Sequence, residues 1–325
     1  MRIAVTGSIA TDHLMAFPGK FADQLVADQL ENVSLSFLVD ELEIRKGGVA
    51  ANIAFGLGSL GMSPVLVGAV GADFEQYRTW LEDHGVDTKS VHVSQNKHTA
   101  RFVCTTDQTQ NQIASFYPGA MAESSSIELG PIADRTGGLD LVIVSPNDPD
   151  AMVKHTEECR AAGYPFAADP SQQLARLEGE TVRTLVEGAS YLFTNEYETA
   201  LLKRSTGWSH DEVLQRVGTW VMTHGGEGVV IESTQHDPVR VSAVPDVSEV
   251  EPTGVGDAFR SGFLWGLSVK LPTERAAQVG STLASFVLET IGTQEYVLQR
   301  STFSDRVARA YGADAAAEIE SKLRV

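Results

Sequence analysis

An α/β fold with a mostly parallel central sheet, helices on both faces and a small β lid is the class this sequence predicts. Three observations predict it. Short apolar runs alternate with segments of helical periodicity along most of the chain, as in strands joined by crossover helices. The runs are continuous rather than alternating, which suits strands buried on both faces. Two stretches break that rhythm, and one of them alternates like a sheet with one wet face.

Taken in order, the candidate buried strands are residues 3–6, 65–70, 141–144, 166–168, 191–193 and 228–231. Helical patterns lie near 49–60, 73–84, 150–162, 180–188, 196–205 and 209–222, and two or three further helices fill the chain from 257 onward. Residues 12–46 contain no clear strand-helix unit. Residues 99–117 read as an antiparallel hairpin, Thr99-Ala100-Arg101-Phe102-Val103-Cys104-Thr105 pairing across a polar tip with Gln112-Ile113-Ala114-Ser115-Phe116-Tyr117. Pro118-Gly119 ends it. Both stretches are expected to leave the main layer together. The result is a single domain over residues 1–325 with a discontinuous β lid from about 12–46 and 97–118.

Composition narrows the function. A chain of 325 residues that is 42% hydrophobic builds a globular core. Its net charge of −18 argues against nucleic acid and against anionic membranes as partners. No apolar run is long enough to span a bilayer. The start, Met1-Arg2-Ile3-Ala4-Val5-Thr6-Gly7, reads as strand and turn rather than signal peptide. Two cysteines far apart, Cys104 and Cys159, imply neither a disulfide framework nor a metal site. A cytoplasmic location is expected.

Some motifs fail on context. Gly56-Leu57-Gly58-Ser59-Leu60-Gly61 spells a dinucleotide fingerprint, but it ends a helical pattern instead of opening one. Tight helix packing and a glycine cap explain it better. As a P-loop it fails at Met62, where lysine is needed. The eight histidines are scattered, and His92 and His98 have no carboxylates patterned around them.

Four segments carry chemistry. In Glu251-Pro252-Thr253-Gly254-Val255-Gly256-Asp257-Ala258-Phe259, two glycines bare the backbone just before a helix. A helix N-terminus offers unpaired N–H groups to an anion, and Asp257 stands beside them, placed to receive a proton. The plainer alternative is a capping aspartate. In Gly47-Gly48-Val49-Ala50-Ala51-Asn52, a bare turn precedes a helix whose early Asn52 can donate to and accept from hydroxyls. A flexible turn with an exposed Asn is equally consistent. Thr6-Gly7-Ser8-Ile9-Ala10-Thr11-Asp12 follows the first strand, where α/β sheets bind ligands. Asp12 can grip a vicinal diol, or simply close an Asx-turn. Asn195-Glu196-Tyr197-Glu198 and Thr223-His224-Gly225-Gly226-Glu227-Gly228 flank strands. They suit Mg²⁺-bound water and a triphosphate, or a helix start and a tight turn.

Residues 47–61 resemble the first signature, and residues 251–259 the second, of the PfkB (ribokinase-like) family of carbohydrate and nucleoside kinases. The resemblance covers essentially the whole chain. Within the family it is most like actinobacterial-type adenosine kinases, on residues 7–14, 34–38, 113–121 and 169–174. It implies transfer of the ATP γ-phosphate to the ribose 5′-hydroxyl of adenosine, giving AMP and ADP in purine salvage. Asp257 is then the base, and Gly254, Val255 and Gly256 form the anion hole. Asp12, Gly48 and Asn52 hold ribose hydroxyls, with Ser8 and Ser36 in adjacent matching segments. Phe102 and Phe116 stack on the base, and Gln172 and Gln173 read its edge. Asn195, Thr223, Gly225, Gly228 and Gly256 contact ATP, and Glu198 meets Mg²⁺ through water.

Two departures stand out. Glu251 replaces the usual Asp, bearing on any K⁺ site, and Val255 replaces the usual Ala between the glycines. The alternative within the family is a sugar kinase acting on ribose or fructose. A free sugar has no flat face for two phenylalanines to stack on, which favours the nucleoside. An exposed apolar face on the lid implies a homodimer joined through it.

Overall fold

The computed structural model describes residues 1–24 and 35–324. Eight strands form the main sheet: β1 (Ile3–Thr6), β4 (Val65–Val67), β9 (Leu141–Val144), β10 (Phe166–Ala168), β11 (Tyr191–Asn195), β12 (Thr219–Thr223), β13 (Val229–Glu232) and β14 (Val239–Val241). Their order is β14-β13-β12-β11-β10-β9-β1-β4. Pairing is parallel from β4 to β12 and antiparallel from β12 to β14.

The apolar runs become strands because both faces are covered. On one face Ile3, Val5, Ile143, Phe193 and Val221 pack under the helices Val49–Ser59, Val255–Ser268 and Thr273–Leu288. On the other, Ala4, Val142, Val144, Leu192 and Trp220 pack under Pro149–Ala162, Gly179–Val186 and Glu196–Thr206. Neighbouring residues of one strand thus enter opposite cores.

A second sheet has the order β3-β2-β7-β8, from β2 (Ala10–Ala16), β3 (Glu41–Gly47), β7 (Ala100–Thr106) and β8 (Gln112–Tyr117). The expected hairpin is β7–β8, antiparallel, with Phe102 opposite Phe116. β2 joins β7 in parallel and β3 in antiparallel register. The part of the expected lid that falls on residues 25–34 lies outside the described residues. A third, two-stranded pairing joins β5 (Ala69–Val70) to β6 (His92–Val93).

Four readings of the sequence need correction, the first being the two or three helices expected from 257 onward, which are four: Val255–Ser268, Thr273–Leu288, Arg300–Tyr311 and Ala313–Glu320. The helical pattern at 209–222 is a short helix, His210–Leu214, followed by strand β12. Gly218 separates them, with Ser190 O only 2.7 Å from where its Cβ would stand. The 65–70 run is two strands, β4 and β5, divided at Gly68. The helix Leu129–Thr136 and strand β14 carry no pattern that the sequence reading caught.

The parallel strands end along one edge. Gly7, Ser145, Asp169 and Asn195 follow or close β1, β9, β10 and β11 there. β1 has β4 on one side and β9 on the other, so the order reverses at β1/β9. A crevice at such a reversal is where α/β sheets place ligands.

Candidate active site

Asp257 stands in the first turn of Val255–Ser268, half-buried. Gly254 caps that helix in the left-handed region, φ 78°. A Cβ there would also come within 2.7 Å of Thr293 Cγ2, so only glycine fits. The N–H groups of Gly256 and Asp257 lie in the first turn and have no acceptor within the helix.

A hydrogen-bonded chain holds the carboxylate. Asn52 Nδ2 donates to Asp257 Oδ2 at 2.9 Å. Asn52 Oδ1 accepts from Thr293 Oγ1 at 2.9 Å and from Gln294 Nε2 at 2.8 Å. Those two donors fix which end of the Asn52 amide faces Asp257. Gln294 also reaches Tyr77 Oη at 2.5 Å, and Tyr77 donates to Gly47 O at 2.9 Å. Asn52 is 7% exposed, so the exposed alternative does not hold. Burial pushes the Asp257 carboxyl up to about 6; Arg260 and the Asn52 amide oppose this, and Glu198 adds to it. The group is ionised at neutral pH yet basic enough to accept a proton.

One row of the small sheet runs beside the site and is tied to it at the Arg45 end. Arg45, Asp12, Phe102 and Phe116 are direct neighbours across β3, β2, β7 and β8. Directly paired residues share a face. At one end Arg45 Nη1 donates to Glu251 Oε2 at 3.0 Å, and Gly292 N–H donates to the same oxygen at 2.9 Å. Thr293 Oγ1 lies 3.1 Å from Lys46 O, a second tie between β3 and the site. Burial, reinforced by Glu251 and opposed by Arg45, pushes the Asp12 carboxyl up to about 6. Phe116 is 49% exposed at the far end of the row.

A profile of pfkB family carbohydrate kinases matches residues 12–300. The chain belongs to this family. It is 30% identical over 270 residues to a nucleoside kinase of Methanothermobacter thermautotrophicus, covering 82% of this chain and 86% of that protein. Among solved structures it resembles the Burkholderia thailandensis nucleoside kinase in complex with inosine, with 35% identity, TM-score 0.82 and coverage of 95% and 98%. The same enzyme in complex with ADP-inosine matches with 35% identity, TM-score 0.81 and coverage of 95% and 96%. The fold is therefore ribokinase-like, and the protein is an ATP-dependent phosphotransferase.

In this pfkB kinase, other expected residues have structural partners of their own. Ser8 Oγ accepts from Val49 N–H at 3.0 Å, capping the helix that Gly48 opens. Ser36 is exposed beside the undescribed residues. Gln173 Nε2 donates to Asn147 O at 2.7 Å, while Gln172 is exposed and accepts from Ser171 Oγ at 2.8 Å. Asn195 and Glu198 form a capping box for Glu196–Thr206, each side chain accepting from the other's N–H at 2.8 Å. Glu198 Oε1 lies 3.0 Å from Ser171 Oγ and shares that hydroxyl's one hydrogen with Gln172. Thr223 ends β12, and His224 N–H closes on Gly228 O at 2.8 Å around Gly225.

Sequence reasoning missed Thr293, Gln294 and Tyr77. The first two sit in an irregular stretch between Thr273–Leu288 and Arg300–Tyr311, with no motif to mark them. The rejected glycine run is a helix end: Gly56 abuts Ser261, Gly58 abuts His84 O, and the helix stops at Ser59.

Proposed function

We propose that the protein is an adenosine kinase, transferring the ATP γ-phosphoryl group to the 5′-hydroxyl of adenosine to give AMP and ADP. The observation that carries this reading is the pairing of two features. A helix-N-terminal turn holds Asp257, and a row of the small sheet beside it presents Asp12 with two phenylalanines.

In the reaction, the 5′-oxygen attacks Pγ, the bond from Pγ to the β,γ-bridging oxygen breaks, and ADP leaves. Asp257 takes the hydroxyl proton late, as the loose transition state makes the oxygen acidic. The N–H groups of Gly256 and Asp257 face the charge developing on the transferring phosphoryl, whereas the Val255 N–H, expected in the same anion hole, donates to Pro252 O at 3.3 Å. Asp12 and Gly48 orient the ribose; Asn52 also keeps Asp257 aimed. Phe102 and Phe116 offer flat surfaces to the purine, and the small sheet acts as a lid that excludes water.

Mg²⁺ bound with ATP neutralises phosphate charge. Among the described residues no group of three His, Cys, Asp or Glu side chains gathers to hold a metal. That fits an ion carried by phosphates and water. Each Glu198 oxygen accepts at most one hydrogen bond and keeps a lone pair for metal-bound water. Asn195, Thr223, Gly225 and Gly228 would line the nucleotide. The monovalent cation that the resemblance allows finds Glu251 already engaged by Arg45 and Gly292 N–H, so no step runs through K⁺.

Three bases near the row are engaged. Arg45 pairs with Glu43 and Glu251, Arg101 with Asp73, and Lys46 lies 4.2 Å from the Trp80 ring centre. A substrate that is already phosphorylated is disfavoured accordingly. A broader purine nucleoside kinase is the second reading, favoured by the inosine complex of the Burkholderia enzyme. A ribose or fructose kinase leaves both phenylalanines without a stacking partner.

No helix among the described residues is long and apolar enough to cross a membrane, and purine salvage places the enzyme in the cytoplasm. On the outer face of the lid Leu42, Ile44 and Ile113 are 58%, 59% and 47% exposed. Covering them with the same face of a second copy gives a homodimer.

The deciding experiment is an acceptor screen with MgATP. Adenosine should be phosphorylated with a kcat/KM at least about tenfold above inosine and guanosine, a gap of about 1.4 kcal/mol. Ribose and fructose should be inert. Comparable rates on inosine establish the second reading, and turnover of ribose alone overturns both.

A further inference from the structure

We propose that Arg260 is a positioning residue for phosphoryl transfer, supporting the 254–257 turn from beneath while its charge is shared between Asp257 and Asp169. Arg260 lies three residues beyond Asp257 on the same helix, is 7% exposed, and is not among the residues that either signature singles out. Its Nη2 donates to Asp169 Oδ1 at 2.6 Å, and Asp169 is fully buried just past the end of β10.

The geometry ties this pair to the turn. A Cβ added at Gly256 would stand 2.7 Å from Arg260 Nη1. The guanidinium thus lies directly under Gly256, and a side chain there would displace it. The pair is incomplete: Arg260 Nε and Asp169 Oδ2 are buried with no hydrogen-bond partner among the described residues. Two half-partnered charges are a costly way to fill a core, and apolar side chains of similar volume usually do it as well or better. Their position under an anion-directed helix N-terminus supplies the reason to keep them.

The charges around Asp257 come from three elements. Arg260 is on its own helix, Asp169 follows β10, and Glu198 is on Glu196–Thr206. Tyr296 also faces it, and burial keeps that phenol protonated. Arg260 is the largest influence favouring the charged form of Asp257. Asp169 competes for the same guanidinium, and burial pushes its carboxyl up to about 7.

This inference rests on Asp257 being the base. Four variants separate the two claims: Asp257→Asn, Arg260→Met, Arg260→Lys and the near-isosteric Asp169→Asn. Each is measured for kcat and KM from pH 4.5 to 8, with thermal melting as a fold check. Arg260→Met should lower kcat about 100-fold, in the range of losing one electrostatic stabiliser, with the adenosine KM within about threefold. The acid limb of kcat/KM, which reports the free enzyme's base, should move up by about one pH unit. Arg260→Lys should recover most of both. Asp169→Asn should move the limb the other way, because the neutral amide no longer competes with Asp257 for the Arg260 guanidinium while keeping a hydrogen-bond acceptor. An acid limb that stays put in Arg260→Met, or one that rises in Asp169→Asn, overturns the role of Arg260. If Arg260→Met does not fold, the direction of the limb in Asp169→Asn decides alone. Substantial turnover by Asp257→Asn instead overturns the base assignment itself.

Discussion

The turn at residues 254–257 and the small sheet lie side by side, but they are built differently. The turn is anchored from every side: Thr293 packs on Gly254, Asn52 holds Asp257, and Arg260 lies under Gly256. Its helix packs into the main core through Phe259 and Phe263. The small sheet carries exposed side chains on β8 throughout and on most of β3. Polar ties from Arg45 to Glu251 and from Thr293 to Lys46 O bind it to the site. Bond-making geometry tolerates little error, whereas substrate must enter and leave. The contrast assigns chemistry to the rigid region and selection to the loosely held one.

Breaking the turn should cost most. Asp257→Asn should lower kcat about 10³-fold, within the range for general base catalysis, while calorimetry finds adenosine affinity within about threefold. Lost binding with retained turnover would reverse the division of labour. Next comes acidity. Asp257 and Asp12 are both raised to about 6 by burial, and the proposed roles need both as carboxylates, so activity should be lost as pH falls through that value. Between pH 7 and 5, kcat/KM should drop about 100-fold with a limiting slope near two. Asp12→Asn should reduce the slope to one. A slope of one in the parent enzyme removes one of the two groups.

Phe116→Ala should raise the adenosine KM about tenfold, in line with losing an aromatic stack and its buried area, and leave the ATP KM unchanged. Equal rises would move Phe116 away from the purine. Smallest is Arg45→Ala. Arg45 and Glu251 are mostly buried, but Arg45 is also held by the exposed Glu43; a surface pair of this kind contributes about 1 kcal/mol, so the adenosine KM should rise only about threefold. A kcat loss as large as that of Arg260→Met would show that the small sheet takes part in the chemistry.

Much of this was legible in the sequence. Continuous apolar runs gave β1, β9 and β10 with their observed bounds, because burial on both faces leaves little choice of residue. The alternating stretch gave the hairpin, since one face is wet. β12 was misread because Trp220-Val221-Met222 suits a buried helix as well as a buried strand. At the site, glycines and Asp257 stand out because a bare turn before a helix has a local signature. Arg260 does not, because its meaning depends on Asp169, which is 91 residues away in sequence. Thr293 and Gln294 act through Asn52 from an irregular loop, and no periodicity marks such residues.

The helices Val255–Ser268 and Thr273–Leu288 cover one side of a sheet whose strands are all synthesised before them. A nascent chain therefore leaves the ribosome with only the helix Val49–Ser59 on that apolar side until its last quarter is translated. Chaperone engagement should be greatest just before that point, and a stop codon near residue 250 should yield an aggregating fragment rather than a weak enzyme.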